Sequence, residues 1–240
     1  MAATAQSLRE QVAWACRILA LEGYADLTLG HVSGRPQGDD IVQIKRKGVA
    51  LDEVDADDVI ELDLAHGEVR LTPEMHLEAV LHTEVYKARP DVGAVVHGHP
   101  PFATAFAATG ATLEMLTHDS VLFSEGLAVF EETPEMITDV AEGSAVARAL
   151  GDRRAVILRN HGVLVVGKSV PWAVLTALTL ERAIRLQSIA RTLGTLRPIA
   201  PQRARQMVAD KYQDRFVDEY WGAWVRRLER LDAAPSGPRA

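Results

Sequence analysis

Apolar residues recur at helical spacing near the start of the chain. From Ser7 onward they fall close to one face, which predicts an amphipathic helix that is capped by the Ser7 hydroxyl and ended by Gly23. The pattern then changes to short β-branched or apolar runs at 27–32 and 41–44, separated by a turn rich in Gly and Pro, which predicts two strands. Residues 55–62 fit neither pattern.

A helix-start signal follows at Thr72, where a hydroxyl cap precedes Pro73 and Glu74. Proline suits the first helical position, and an acidic residue suits the first turn. Because Pro90 cannot continue a helix, we predict a helix over residues 73–88.

Short, nearly continuous apolar runs at 92–96 and 155–158 each precede a histidine motif. Such runs are typical of strands that are covered on both faces, so the histidines are expected at strand ends. A further strand is predicted at 163–166 and a long helix at 172–193. Helical spacing returns over 203–231.

Length and composition are those of one globular domain. The chain has 240 residues, of which 48% are hydrophobic and 25% charged, and no repeat or linker divides it. We expect a single domain over 1–231 and a flexible tail over 232–240. The single cysteine, Cys16, excludes an intrachain disulfide and a thiolate metal cluster, and its apolar neighbours predict that it is buried.

Charge and hydropathy argue against nucleic-acid and membrane partners. Acidic residues outnumber basic ones by 33 to 26, and no Lys/Arg run is interleaved with aromatic residues. No apolar segment has the length of a membrane span, and the first residues lack the pattern of a signal peptide. We therefore expect a cytoplasmic protein that binds neither nucleic acid nor a membrane.

The strongest local motif is a His-Gly-His sequence at His97 and His99. Residues two apart on an extended segment point to the same side, so both imidazoles can reach one ion. His161 follows another predicted strand and can approach them from a neighbouring strand end. Three histidines leave a coordination position open, as in catalytic zinc sites. The alternative is that these side chains hydrogen-bond to loops.

A polar stripe follows the predicted helix over 73–88. Glu78, His82 and Tyr86 recur at four-residue spacing, where an apolar core stripe is expected. The polar stripe indicates that this face of the helix does not pack against an ordinary apolar core. The alternative is a solvated face with Glu78 and Glu84 in water.

These motifs together resemble the class II aldolase, sugar-phosphate epimerase and adducin head family. The resemblance runs from about Val12 to Leu193 and rests on GHVSGR at 30–35, E-x-x-x-H-x-x-x-Y at 78–86, ARPDVGAVVHGHP at 88–100 and RNHG at 159–162. It implies a three-layer α/β/α fold with a largely antiparallel central sheet, and assembly as a homotetramer. It also implies that a divalent ion is bound by His97, His99 and His161, with Glu78 as the catalytic acid/base and sometimes a fourth ligand.

Three segments depart from the family's phosphate-binding pattern. His31 replaces an asparagine, Lys45-Arg46-Lys47-Gly48 replaces a hydroxyl loop, and His76-Leu77 replaces a serine pair. Long basic side chains suit carboxylates better than a compact phosphate, so we expect a small anionic substrate that is not a sugar phosphate. The alternatives are that Lys47 pairs with a phosphate, or that the basic run is solvated surface.

Within the family, GHVS, LR-x-HG-x-x-VVG and a basic loop are similar to the branch that decarboxylates hydroxylated aromatic or pyridine dicarboxylates. This similarity implies a metal-dependent carbon–carbon lyase in which protonated Glu78 delivers a proton to the ring carbon. That role requires burial to raise the Glu78 pKa. The expected substrate-binding residues are His31, Ser33, Arg35, Lys45 and Lys47.

Other functions stay open at this point. An aldolase, epimerase or dehydratase acting on a small hydroxy-carbonyl or sugar-phosphate substrate needs the same site. An adducin-like binding module is disfavoured because the three histidines and Glu78 are present. Zinc and manganese are the leading ions, with iron and cobalt, and an iron-dependent oxygenase, as alternatives.

Overall fold

Helices flank both faces of a central sheet in the computed structural model, which describes residues 6–24, 26–65 and 72–233. The helices are α1 (Leu8–Leu21), α2 (Ala79–Ala88), α3 (Pro101–Ala107), α4 (Val140–Leu150), α5 (Val170–Leu193), α6 (Pro201–Lys211) and α7 (Asp214–Asp232). The strands are β1 (His31–Gly34), β2 (Ile41–Lys45), β3 (Val59–Asp63), β4 (Ala94–Gly98), β5 (Ala128–Phe130), β6 (Ala155–Leu158) and β7 (Gly162–Gly167). Short 3₁₀ turns occur at Ala56–Asp58 and Ser120–Phe123.

The sheet has seven strands in the order β3-β2-β1-β4-β7-β6-β5. Neighbouring strands are antiparallel except β5 and β6, which are parallel. Strand β4 lies at the centre, between β1 and β7, and His97 on β4 is directly opposite His31 on β1. The predicted three-layer fold with a largely antiparallel sheet is confirmed.

Alternate residues of the central strands face two different helical layers. Val96 packs into one core with α1, α3, α5 and α7, whereas Val95 packs into the other core with α2 and α4. Side chains alternate between faces along a strand, so His97 points to the same side as Val95, toward α2. The sheet therefore turns His97 and the polar stripe of α2 toward each other.

Helix α2 is shorter than predicted, because residues 73–78 form turns and the helix begins at Ala79. Non-local contacts hold this segment out of a helix. The Lys47 N–H donates to the Glu74 carbonyl at 2.7 Å, and the Glu78 carboxylate accepts from the Ile137 N–H at 2.9 Å. Glu78 is therefore the residue that precedes the helix.

Three further predictions differ from the structure in detail. Strand β1 begins only at His31, because residues 26–30 form a loop. The segment with helical spacing at 203–231 is divided into α6 and α7, which Tyr212 and Gln213 separate. The ambiguous segment at 55–62 contains a 3₁₀ turn and most of β3.

Cys16 is buried in α1, as predicted, and burial raises the pKa of its thiol to about 12. It is therefore a small core residue rather than a reactive thiolate at neutral pH. Within the described ranges, no helix combines the length and apolar character that a membrane crossing requires. Of the predicted tail at 232–240, residues 234–240 lie outside the described part of the chain.

Candidate metal centre

Three imidazole rings meet where β4 ends and β6 turns into β7. The ring centroids of His97, His99 and His161 are 5.0 to 5.2 Å apart in every pair. One nitrogen of each ring lies within 4.8 Å of one nitrogen of each other ring. The pairing of β4 with β7 produces this arrangement, because Gly98 lies opposite Val163 and so brings the end of β4 beside the turn that carries His161.

Glycine at position 162 allows the two segments to approach this closely. A Cβ atom there would lie 2.7 Å from the Gly98 carbonyl oxygen and 2.7 Å from the ring of His99. Any larger residue would push the His99 ring away from its neighbours. The glycine of the RNHG motif thus has a packing role beside the three histidines.

Hydrogen bonding leaves ring nitrogens of the cluster without partners. The carbonyl of Val163 lies 3.0 Å from His97 Nδ1 and can only accept, so Nδ1 carries the proton and Nε2 has a free lone pair. Among the described residues, this buried Nε2 and the buried His161 Nδ1 have no hydrogen-bond partner. The unpaired Nε2 of His97, together with one nitrogen each of His99 and His161 within 4.8 Å of one another, fits a divalent cation with three histidine ligands.

His99 is oriented by Asp26, a residue that the sequence motifs did not indicate. The Asp26 carboxylate accepts a hydrogen bond from the His99 backbone N–H at 2.6 Å and another from His99 Nδ1 at 3.0 Å. Burial acts to lower the pKa of His99, but the hydrogen bond and charge of Asp26 outweigh burial and raise it. A carboxylate on one ring nitrogen leaves Nε2 for an ion and fixes the ring plane.

We expect Asp26→Asn to weaken the binding of Zn²⁺ or Mn²⁺ by about 10- to 100-fold, the usual cost of removing such a partner. The amide is nearly the same size as the carboxylate but neither carries its charge nor accepts as strongly. Competition with a chelator of known affinity measures the effect. The exposed Asp52→Asn is the matched control, and equal affinities of the two variants would remove Asp26 from the metal centre.

Glu78 lies beside the same rings. Its Oε2 is 3.4 Å from His97 Nε2, and its Oε1 is 3.5 Å from His161 Nε2 and accepts the Ile137 N–H. Burial acts to raise the pKa of Glu78, but the adjacent rings of His97 and His161 and the Ile137 N–H lower it to about 2. Glu78 is therefore a carboxylate at neutral pH, which corrects the expectation of a protonated side chain.

The alternative of a solvated helix face is wrong for both glutamates. Glu78 and Glu84 are buried, and Glu84 accepts hydrogen bonds from Lys87 Nζ at 2.7 Å and Ser144 Oγ at 2.8 Å. Helix α2 is enclosed between the sheet and α4, so even its polar residues are inside the protein.

A second group of histidines lies behind the first. The ring of His31 is 5.0 Å from His97, 4.8 Å from His82 and 4.4 Å from His76, measured between centroids. Burial, followed by the charges of neighbouring histidines, lowers the pKa of His31 and His82 well below the usual value. Both rings are neutral at neutral pH. His76 was not among the predicted site residues, although it precedes Glu78 by only two positions.

The two predicted lysines lie in different surroundings. Lys45 is fully buried, and its ammonium donates to the Thr28 carbonyl at 3.2 Å and lies 3.3 Å from His76 Nε2. Lys45 thus ties the loop at 26–30 to the turn before Glu78. Lys47 is exposed, and its backbone N–H donates to the Glu74 carbonyl.

Arg35 lies away from the three imidazoles. Its guanidinium donates to the carbonyls of Asp39 at 2.9 Å and Tyr86 at 2.8 Å, and it stacks on the Tyr86 ring at 4.5 Å. Four residues of extended chain separate Arg35 from His31, about 13 Å. Arg35 therefore holds the far end of β1 in place, and we remove it from the expected substrate-binding set. Ser33 is completely buried between β1 and α2.

The loop that carries Asp26 is strained at Leu27, which has a φ of +49° and is 75% exposed. A leucine in this left-handed region costs about 1–2 kcal/mol, whereas asparagine tolerates it. We expect Leu27→Asn to raise the free energy of unfolding by about 1 kcal/mol. Urea titration measures this. Leu29→Asn, at an exposed position with negative φ, should give no gain, and an equal gain in both variants would contradict strain as the cause.

The chain was compared with known proteins. The family model described as Class II Aldolase and Adducin N-terminal domain matches residues 10–188. A 3,4-dihydroxyphthalate decarboxylase from Arthrobacter keyseri is 32% identical over 186 residues, which are 72% of this chain and 74% of that protein. The meiotically up-regulated gene 14 protein of Schizosaccharomyces pombe is 29% identical over 201 residues, or 81% of this chain and 78% of that one.

Among solved structures, the L-fuculose 1-phosphate aldolase from Glaciozyma antarctica PI12 superposes with a TM-score of 0.79 at 27% identity. The match covers 93% of this chain and 89% of the aldolase. These findings confirm the predicted family and the prediction of a lyase. The chain belongs to the Class II Aldolase and Adducin N-terminal domain family.

Proposed function

We propose that the chain is a metal-dependent decarboxylase of a hydroxylated aromatic or pyridine dicarboxylate. The observation that carries the proposal is the Glu78 carboxylate held against the rings of His97 and His161, beside the unpaired Nε2 of His97. A relative with 32% identity is named a 3,4-dihydroxyphthalate decarboxylase, which matches this class of substrate. The proposed ion is zinc or manganese, with iron or cobalt as alternatives.

His97, His99 and His161 are the proposed ligands. A divalent ion held there would draw negative charge from the hydroxyl and carboxylate oxygens of the substrate as CO₂ departs. Asp26 fixes the plane of His99, and the Val163 carbonyl fixes the tautomer of His97. These two rings are thus positioned before any substrate arrives, which reduces the reorganisation that the reaction requires.

Glu78 is the proposed proton carrier. As a carboxylate it can accept the proton of the substrate's ring hydroxyl, and it can then return that proton to the ring carbon from which CO₂ leaves. The Ile137 N–H holds Oε1 at 2.9 Å, so Oε2 is the freer oxygen for this transfer. This order of steps needs a side chain that begins ionised, in agreement with the lowered pKa of Glu78.

Lys47 is the proposed partner of the second carboxylate. Its side chain is exposed, and its backbone N–H is anchored to the Glu74 carbonyl at 2.7 Å, four residues before Glu78. Lys45 is proposed to position this region through Thr28 and His76 rather than to contact the substrate. His31, which lies opposite His97 on β1, is proposed to contact the substrate as well.

The proposal is tested by loading the protein with Zn²⁺ or Mn²⁺ and supplying hydroxylated phthalates, pyridine dicarboxylates and sugar phosphates in separate reactions. Release of CO₂ from a dicarboxylate supports decarboxylation. Release of an aldehyde from a sugar phosphate, with no CO₂ from any dicarboxylate, would replace it with aldol cleavage. The metal-free protein is the control for uncatalysed loss of CO₂.

Aldol cleavage, epimerisation or dehydration of a small hydroxy-carbonyl or sugar-phosphate compound is the second candidate. It is favoured by the fold-wide similarity to an L-fuculose 1-phosphate aldolase. Glu78 would then remove or return a proton next to a carbonyl group. We further propose a cytoplasmic homotetramer, as the family resemblance and composition imply; light scattering coupled to size exclusion tests the assembly.

A further inference from the structure

Four buried side chains form a continuous hydrogen-bonded chain that leads to the metal centre. The Tyr86 hydroxyl is 2.8 Å from Ser33 Oγ, which is 2.6 Å from His82 Nδ1. His82 Nε2 is in turn 2.7 Å from His31 Nδ1. All four residues are at most 1% exposed, so no bulk water competes for these bonds.

The direction of donation along these hydrogen bonds follows from the end that is farthest from the metal centre, Tyr86. A tyrosine hydroxyl has one proton to donate, and Ser33 Oγ is its hydrogen-bond partner among the side chains that the structure describes. If Ser33 donated to Tyr86 instead, the phenolic proton would be buried without an acceptor, which is costly. Tyr86 therefore donates to Ser33.

The remaining protons are then fixed one after another. Since Ser33 Oγ accepts from Tyr86, its own proton goes to His82 Nδ1 at 2.6 Å. A neutral imidazole that accepts at Nδ1 carries its proton at Nε2, so His82 donates to Nδ1 of His31. His31 must then carry its proton at Nε2, the nitrogen that is not bonded to His82.

We infer that Tyr86, Ser33 and His82 are positioning residues that fix His31 as an Nε2–H donor to an anionic oxygen of the bound substrate. One nitrogen of His31 lies within 4.8 Å of a Glu78 oxygen and a His97 nitrogen, which places its ring at the edge of the centre. The tautomer follows from the hydrogen bonds alone, whereas the identity of the acceptor rests on the proposed function.

This assignment makes His31 a neutral hydrogen-bond donor, which differs from a positively charged donor such as a protonated histidine. A neutral N–H donor can bind a carboxylate or phenolate oxygen without adding positive charge next to a metal ion. It also disfavours a ligand that presents a second donor at the same point, because two donors would face each other. The hydrogen bonds from Tyr86 to His31 therefore favour substrates that place a hydrogen-bond acceptor next to His31 Nε2.

The tautomer can be measured directly. In Zn²⁺-loaded protein with ¹⁵N-labelled histidine, long-range ¹H–¹⁵N correlation spectra distinguish Nε2–H from Nδ1–H rings, and His31→Gln and His82→Gln assign the signals. We expect Nε2–H for both His31 and His82. A proton on Nδ1 of His31, or on both of its nitrogens, would overturn the inference.

A matched pair of serine variants tests the direction of the chain. Ser33→Ala removes the donor to His82 Nδ1, so the His82 and His31 signals should shift toward a mixture of tautomers. Ser144→Ala removes a serine hydroxyl that bonds Glu84 outside the chain and should leave both signals unchanged. Unchanged tautomers in Ser33→Ala would contradict control by Ser33.

The role of His31 as a donor is tested with phthalate as a probe dicarboxylate and calorimetry as the readout. Glutamine can place an amide N–H near the position of Nε2, so His31→Gln should bind close to the wild-type affinity. His31→Leu should bind about tenfold more weakly or worse, the usual cost of losing a hydrogen bond to a charged group. Equal affinities of wild type and His31→Leu would remove the donor role. No binding to the wild type would count against the proposed substrate class and leave the tautomer result intact.

Discussion

Replacing Glu78 with glutamine is expected to reduce the rate of the proposed reaction by about 10²–10⁴-fold, the contribution typical of a positioned acid or base. Glutamine fills the same space and keeps an oxygen that can accept the Ile137 N–H, so the turn before α2 should be preserved. It cannot take up and return a proton. The three histidines remain, so the metal content should not change.

Turnover and metal content must be measured on the same samples, by product formation and by elemental analysis. Glu84→Gln is the matched control, because Glu84 is also buried on α2 but bonds Lys87 and Ser144 instead of the imidazoles. If Glu78→Gln also loses the metal, Glu78 is a ligand rather than only a proton carrier. Full activity in this variant would contradict the proposed mechanism.

Metal-free protein is expected to lose stability steeply as the pH falls below about 6.5, the usual pKa of histidine. Burial, the largest cause, lowers the pKa of His76 to about 3 and of His161 to about 4, and lowers those of His31 and His82 well below the usual value. In this range the unfolded chain binds protons that the folded protein cannot. Each such group removes up to about 1.4 kcal/mol of unfolding free energy per pH unit.

Two other groups of the same site change the free energy of unfolding differently: His99 has the opposite pH dependence, and Glu78 acts in a lower pH range. The raised pKa of His99 adds stability below its unfolded pKa, which is lost as the pH rises through the folded pKa. The lowered pKa of Glu78 adds stability above 4.5, which is lost only as the pH falls from there toward 2. Four opposing histidines outweigh His99, so the net change between pH 7 and pH 5 is a loss.

Urea unfolding of chelator-treated protein at several pH values between 8 and 5 measures this loss. Saturating Zn²⁺ should raise stability at neutral pH by about 2.7 kcal/mol at 100 times the dissociation constant, and the gain should shrink on acidification because protons compete for the ligands. A free energy of unfolding that is the same at pH 7 and pH 5 would contradict the buried, neutral state of these rings.

Local sequence patterns were sufficient for the elements that depend on neighbours in the chain. Helix α1, strand β6 and the long helix α5 have strong periodicity or a continuous apolar run, and their bounds agree closely with the structure. The His97 and His99 pair also follows from local spacing, because both lie at the end of a single strand.

The remaining parts of the site depend on contacts between distant segments. Asp26 reaches His99 from 73 residues away, and nothing around Asp26 in the sequence indicates that contact. The turn before α2 has a strong helix-start signal, but the Lys47–Glu74 hydrogen bond and the contacts of Glu78 override it. Arg35 looked suited to bind an anion, yet backbone carbonyls take up its donors.

The register of β1 against β4 couples the candidate metal centre to successful folding. His31 lies opposite His97, and a shift of either strand by one residue would turn its histidine into the wrong core. The same shift would bury valines where the imidazoles now meet and leave polar rings among α1 and α5. Damage to this strand pair should thus appear in cells as missing or aggregated protein rather than as a slow enzyme, and screens for partial activity will rarely recover substitutions there.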